Sequence, residues 1–220
     1  MVRFSMPPTT TAINNYAFNL GDSNNNALNI ADARGPFGRG RYVQLGDITD
    51  GTSNTLVFSE RLKANFGLTT VTANQIDTKL GMATSVANII NVPQLCYGTA
   101  TGTYFTAGQI VKGRFGSLWS DGQSERVCFN TILPPNKPSC TSDNNGNADS
   151  GANTWGLLIP PSSRHAGGVN AGRADGSVSF ITNSIDAGNL SMTETLSGQS
   201  PYGVWGALGS KSGGEVVTEQ

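Results

Sequence analysis

The sequence predicts an α+β domain dominated by antiparallel sheet, with short strands, many loops and one or two helices. Three observations carry that reading. The 220 residues hold 28 glycines with many Asn, Thr and Ser, a composition of turns and extended chain rather than long helices. Asp-Gly pairs recur at Asp50-Gly51, Asp121-Gly122 and Asp175-Gly176. This dipeptide suits tight turns because Gly accepts positive φ freely and Asp tolerates it. Segments beside these pairs alternate apolar with polar residues, the period of a strand.

Along the chain, Arg41 to Leu45 reads as a short strand. Another follows the first Asp-Gly pair through Thr55-Leu56-Val57-Phe58-Ser59-Glu60. Ile76, Leu80, Ala83, Ala87 and Ile90 share one face at helical spacing, so a helix is expected there. Thr72 or Asn74 would cap it, and Gly81 would weaken it by about 1 kcal/mol relative to alanine. Tyr104 to Val111 and Trp155 to Ile159 read as further strands. The polar, glycine-containing stretch 141–153 reads as a loop.

The clearest element is a hairpin with Asp175-Gly176 at its tip. Gly168 to Ala171 leads in and Ser177 to Ile181 leads out. Val178 and Phe180 alternate against Ser177 and Ser179 there, as in a half-buried strand. A short helical turn is expected over Val204 to Leu208. Residues 212–220 read as a tail in which Val216 and Val217 could add an edge strand. There is no internal repeat, and residues 1–220 read as a single globular domain. At this length roughly 70% of the unfolded surface can be buried, enough for a substantial core.

Composition narrows the function. Only 13% of residues are charged and the net charge is -1, so no basic field exists to attract nucleic acid or an anionic membrane. The 37% hydrophobic content with scattered aromatics fits a folded chain. No run of about 20 apolar residues appears, so the chain as given is not expected to cross a membrane. Met1 leads directly into polar sequence, so no signal peptide is expected within the chain as given.

The three cysteines, Cys96, Cys128 and Cys140, include no C-x-x-C pair, and one histidine cannot complete a zinc site with them. Cys128 and Cys140 bracket a loop containing Pro134, Pro135 and Pro138. Closing it would stabilise the fold by about 3 kcal/mol. Cys96 with Cys140 is the competing pair, and three reduced thiols are the third possibility.

Catalytic constellations are sparse. The single histidine, His165, has Ser162 and Ser163 beside it, but sequence neighbours rarely make a nucleophile and base pair. No G-x-S-x-G or S-x-x-K motif accompanies them. Glu60, Glu125, Glu194 and Asp121 show no spacing that singles out a glycosidase pair. Gly206 to Ser212 has the ingredients of a phosphate loop with the wrong spacing. Asp143, Asn145, Asn147 and Asp149 alternate as oxygen ligands in a calcium loop do, although the glycine at Gly146 does not fit an EF-hand. A second acidic cluster, Asp47, Asp50 and Thr52, is a further calcium candidate unless Asp47 caps a turn. Trp119, Trp155, Trp205 and Tyr202 are candidates for a glycan or solute platform, against core packing as the simpler role.

The C-terminal third is more specific. Nine residues separate His165 from Asp175-Gly176. This pattern resembles the H-x(9)-D-G signature of a large, mostly planctomycete family of prepilin-type proteins of unknown function. Three further stretches resemble the same family in the same order. They are Asp47 to Leu56 running on to Glu60-Arg61, Phe129 to Asn136 with Cys140, and Trp205 to Gly209 ahead of Gly213 to Val216. The resemblance implies a type IV pilin-like or type II secretion pseudopilin-like head built on an antiparallel sheet. It implies export and anchoring through an N-terminal apolar helix. That helix and its leader have no counterpart in these 220 residues, so membrane attachment would depend on a segment this chain lacks. Filament assembly by this chain alone is not expected.

The expected protein is therefore a non-catalytic structural or interaction protein of an extracellular surface assembly or secretion apparatus. Its partners would be other proteins or copies of itself, and it would need no cofactor, calcium aside. The alternative is an extracellular solute- or glycan-binding module.

Overall fold

The computed structural model describes residues 14–25, 33–38, 42–118, 121–143 and 156–215. In chain order its strands begin with β1 (Tyr16–Asn19), β2 (Leu56–Glu60), β3 (Phe66–Thr70) and β4 (Met82–Ala83). Next come β5 (Ala100–Thr101), β6 (Tyr104–Phe105) and β7 (Ile110–Gly113), then the helical turn α1 (Ser124–Val127). β8 (Cys128–Phe129), β9 (Ser139–Thr141) and β10 (Leu157–Leu158) follow. The described chain closes with β11 (Gly168–Arg173), β12 (Val178–Thr182) and α2 (Gly203–Gly209). Most of the expected 141–153 loop and the Val216-Val217 pair lie outside the described residues.

Two five-stranded sheets organise these elements. The first runs β12-β11-β2-β1-β8 and is antiparallel except where β1 meets β8. The second runs β10-β9-β4-β7-β3 and is antiparallel except between β4 and β9. β5 and β6 form a small separate pair. The fold class is α+β, mainly antiparallel with short helices, as the composition and turn chemistry predict.

The inner face of the first sheet buries Ala17, Leu56, Phe129, Val169, Ala171 and Ile181 against Trp205 and Leu208 of α2. A second cluster, with Met82, Leu157 and Ile159 against Leu20, Phe115 and Cys128, joins the two sheets. Among the described residues no helix is long and apolar enough to cross a membrane.

The Asp175-Gly176 hairpin forms as expected. Gly176 sits at φ +88 and its N–H donates to Arg173 O at 3.0 Å. Asp175 Oδ1 accepts from Ser177 N at 2.9 Å and from Ser177 Oγ at 2.7 Å. The alternation in β12 has the opposite sense to a buried apolar stripe, however. Ile181 is buried at 3% exposure, whereas Val178 and Phe180 stand 69% and 46% exposed.

The helix expected over residues 76–90 does not form. Asn74, Ser85 and Asn88 all take left-handed φ near +60, which interrupts any right-handed helix, and Met82 and Ala83 pair with strands on both sides. Ile76, Ala83 and Ile89 are buried by sheet and loop packing instead of by a helical stripe. Tyr42 to Gln44 form no strand, and Leu45–Asp47 is a 3-10 turn whose Asp47 Oδ2 accepts from Gln44 N at 2.8 Å. The Tyr104 to Val111 strand is split into β6 and β7 by a turn.

The cysteines pair as Cys96 with Cys140, Cα atoms 5.9 Å apart, fastening the 3-10 turn Pro93–Thr99 to β9. Cys128 is not the partner of Cys140, because it lies on β8 in the first sheet while Cys140 lies in the second. Burial pushes its thiol up to about 12, with the nearby Arg61 charge and a Ser124 hydrogen bond opposing the shift.

Candidate functional site

The outer face of the first sheet is where the molecule departs from an ordinary surface. Strand pairing sets Phe18 opposite Phe58, Phe58 opposite Gly172 and Gly172 opposite Val178, one row across four strands. The next row sets Tyr16 opposite Glu60 and Asn170 opposite Phe180. Side chains two residues apart share a face, so these residues project together, away from the buried Ala17, Ser59, Ala171 and Ile181.

A bulge is what turns Phe58 outward. The β2–β11 register slips at Gly172/Arg173, so that Phe58 and Leu56 face successive residues and Val57 is the extra one. Strict alternation would bury Phe58 with Leu56; with the bulge, Leu56 is fully buried and Phe58 is 41% exposed. Phe18, Phe37 and Phe58 then cluster with ring centroids 4.9 to 5.6 Å apart, the separation of favourable tilted aromatic pairs.

A groove of about 690 Å³ lies on this face between Phe58 and Val178, with Tyr16 at its side. Gly172 forms its floor: a Cβ there would meet nothing closer than 4.0 Å. A smaller hollow of about 360 Å³, lined by Phe37, Val43 and Leu45, shares Val57, Phe58 and Arg173 with it. The apolar surface is therefore continuous from Leu45 past Phe58 to Val178.

Glu60 and Asn170 line the polar end of the groove, and His165 packs behind them against Glu60. The imidazole Nε2 meets Glu60 Oε1 at 3.0 Å, and Asn170 donates to Glu60 through its backbone N at 2.8 Å and Nδ2 at 3.1 Å. Burial alone would raise the Glu60 carboxyl, but the hydrogen bonds from Asn170 and His165 outweigh it and hold it below the usual carboxylate value. The neighbouring serines are turned elsewhere. Ser162 Oγ accepts from Leu62 N at 3.1 Å, and Ser163 Oγ donates to Gly168 O at 2.6 Å. His165, Glu60 and Asn170 thus pin the chain entering β11 to the end of β2.

The other motif residues are structural ties of the same kind. Asp50 accepts from Ser210 Oγ at 2.9 Å, Gly213 N at 2.6 Å and Gly214 N at 2.8 Å, which seats the segment after α2. Asn130 accepts from Ile159 N at 3.0 Å and donates to Leu157 O at 2.6 Å. Asn136, at φ +65, accepts from Ser163 N at 2.9 Å and donates to Gly168 O at 3.3 Å. Trp205 Nε1 donates to Leu133 O at 2.9 Å. Arg61 lies over the Phe115 ring, 3.6 Å from its centroid, and donates to Cys128 O. Four stretches far apart in sequence become one hydrogen-bonded frame around the first sheet.

A family model described as a protein of unknown function (DUF1559) matches residues 4–188, most of the chain. The chain belongs to the DUF1559 family. The match takes in the bulged strand, the groove and the His165 to Gly176 hairpin, and ends ahead of α2. No curated protein and no solved structure matches it.

The remaining candidates fall apart as a site in this DUF1559 chain. Trp205 and Tyr202 are fully buried, so neither can form an exposed platform; Trp119 and Trp155 lie outside the described residues. Of the calcium candidates, Asn145, Asn147 and Asp149 lie outside the described residues. Asp143 is half-buried, and burial raises its carboxyl, with Lys112 opposing and Glu125 adding to the shift. Asp47 and Asp50 are taken up by the turn and nest contacts above. Among the described residues no group of three His, Cys, Asp or Glu side chains is placed to hold a metal. The four acids weighed as a glycosidase pair each serve a different partner. Glu125 bridges Lys112 and Arg114 in the core, Asp121 pairs with Arg126, Glu194 accepts from the backbone of Asn24, and Glu60 meets His165.

Sequence reading missed the outward aromatics, Tyr16, Phe58 and Phe180. One signal was available: Val-Ser-Phe-Ile-Thr in β12 carries apolar residues of both parities, so one of them has to face out.

Proposed function

We propose that this protein is a non-catalytic, pilin- or pseudopilin-like head of an exported surface assembly or secretion apparatus. In this reading the outer face of the first sheet docks an apolar helix of that assembly. The observation that supports it is the continuous apolar groove over Phe58, Gly172 and Val178, with Tyr16 and Phe180 beside it. Folded monomers rarely leave contiguous apolar surface of this kind uncovered, and a helix laid on a sheet is a common way to cover it. The signature residues His165, Asp175 and Gly176 serve as pins and turn of the hairpin that builds the groove, a scaffold role that requires no cofactor. The low charge, net -1, suits protein partners better than nucleic acid. A glycan- or solute-binding module is less well supported, since Trp205 and Tyr202 are core residues.

Cell fractionation of the native protein beside Gly172→Leu and Phe58→Lys tests the proposal. The native protein is expected in the sheared surface or envelope fraction. Both variants, folded by circular dichroism, are expected to be released in soluble form. A native protein found free in the cytoplasm, or variants that remain in the surface fraction, overturns the reading.

A further inference from the structure

The ends of a sheet present unpaired N–H and C=O groups, and proteins blunt such edges by shortness, charge, proline or bulges. Three of the four edges in the two large sheets are blunted. β8 and β10 are two residues long. β3 is five residues long, but its register with β7 slips between Phe66 and Thr69. β12 carries none of these protections. All five of its residues, Val178 to Thr182, pair with β11 in unbroken register, and the strand contains no charge and no proline.

Its backbone polarity follows from two bonds. Ser177 O accepts from Arg173 N at 2.9 Å, and Asn183 N donates to Gly167 O at 2.7 Å. Odd-numbered residues therefore face β11, and the N–H and C=O groups of Val178 and Phe180 point outward from the edge. The Thr182 N–H points the same way, while Thr182 O accepts from Ile185 N at 3.2 Å. Among the described residues no strand covers this edge.

We infer that β12 is a self-pairing edge, and that its partner is β12 of a second copy of this chain, antiparallel about a two-fold axis at Phe180. In that register Phe180 exchanges both backbone bonds with its symmetry mate, and Val178 pairs with Thr182 of the second copy. The exposed Phe180 rings meet across the axis on the outer face, as directly opposed aromatics do in sheets. The charges permit it: Asp175 falls opposite Ile185 and Asp186 opposite Ala174, so no like charges face each other. The paired sheets make one ten-stranded surface with both grooves on the same side. Five residues of edge bury little area, so the dimer is weak and concentration-dependent. The edge shares only Val178 with the groove proposed to receive a helix, and Phe180 on the edge and Phe58 in the groove let each be tested separately.

Sedimentation equilibrium of the full chain from micromolar to millimolar concentration is the test. The wild type is expected to show a monomer–dimer equilibrium. Phe180→Lys sets two cations opposite each other and is expected to weaken association roughly tenfold or more, with the melting temperature unchanged. Val178→Pro removes an outward N–H that makes no bond among the described residues, and is expected to weaken it similarly. Phe180→Cys places two thiols about 5.5 Å apart between Cα atoms, within disulfide reach, so mild oxidation is expected to give a dimer joined at position 180. Phe58→Lys, which acts in the groove, is expected to leave association intact. A wild type monomeric at millimolar concentration, a dimer undiminished by both edge variants, or failure of the position-180 crosslink overturns the inference.

Discussion

Glu60 and His165, 105 residues apart in sequence, meet at 3.0 Å between Oε1 and Nε2. The same carboxylate holds the backbone and side chain of Asn170, so one acid at the end of β2 fixes both the loop entering β11 and β11 itself. The two partners contribute unequally. The imidazole is half-exposed, and an exposed ion pair is worth about 0 to 1 kcal/mol, so His165→Ala is expected to cost less than about 1 kcal/mol. Glu60→Ala strips the acceptor from a half-buried backbone N–H and is expected to cost roughly 1 to 3 kcal/mol. Urea denaturation of the two variants measures the difference, and equal costs would contradict this division of labour.

Glu194 supplies a pH dependence of opposite sign to the usual carboxylate. Burial raises it to about 7; the backbone N–H groups of Asn24 and Asn25 oppose the shift, and the charge of Asp22 adds to it. A carboxyl with a raised folded-state pKa favours the folded state when protonated. Its contribution is fully present below about 4.5, its ordinary value, and is lost as pH rises through about 7. Glu194→Gln keeps a neutral side chain throughout. The gap in stability between this variant and the wild type is expected to widen in the variant's favour by up to about 3 kcal/mol between pH 4.5 and 8. Melting curves across that range check it, and a constant gap would refute it.

The disulfide encloses a long segment, with its cysteines 44 residues apart. Loop-closure entropy for that span corresponds to about 4 kcal/mol in the unfolded chain. Reduction is expected to lower the denaturation midpoint accordingly, and Cys96→Ser is expected to mimic it. Cys128→Ser is expected to leave the disulfide in place, because Cys128 sits in the other sheet. Mass spectrometry of peptides with and without reductant identifies the pair. A crosslinked Cys128 peptide would be decisive against it.

What could be read from the sequence was what local chemistry controls. Asp175-Gly176 needs only a residue that accepts positive φ, and the hairpin formed around it. The strand from Leu56 to Glu60 and the turn of α2 announced themselves in the same way. Errors arose where distant pairing overrode local pattern. The apolar spacing from Ile76 to Ile90 is helical, yet Met82 and Ala83 belong to a sheet whose neighbours are supplied by residues 111–112 and 139–140. The bulge at Val57 reverses the parity of β2, so nothing in the spacing of Leu56 and Phe58 reveals that they face opposite ways. Asn130, Asn136 and Asp50 could be recognised as motif residues, but their partners lie 27 or more residues away and cannot be found by scanning along the chain.

Two glycines of one hairpin separate conformational cost from surface function. Gly176 is at φ +88 with open space around it, since nothing lies within 4 Å of the point a Cβ would occupy. Its requirement is therefore backbone strain alone, and a β-branched residue there is strongly disfavoured. Gly176→Val is expected to destabilise the protein by roughly 1 to 3 kcal/mol. Gly172 has no positive φ, and its Cβ position opens into the groove. Gly172→Leu is thus expected to keep the melting temperature close to that of the wild type while filling the floor of the groove. Thermal melts of both variants, with binding of an apolar fluorescent dye as the second readout, separate the cases. Gly176→Val should lose stability and Gly172→Leu should lose dye binding. A Gly172→Leu protein as unstable as Gly176→Val would show that the position is packed, and that the outer face carries no groove.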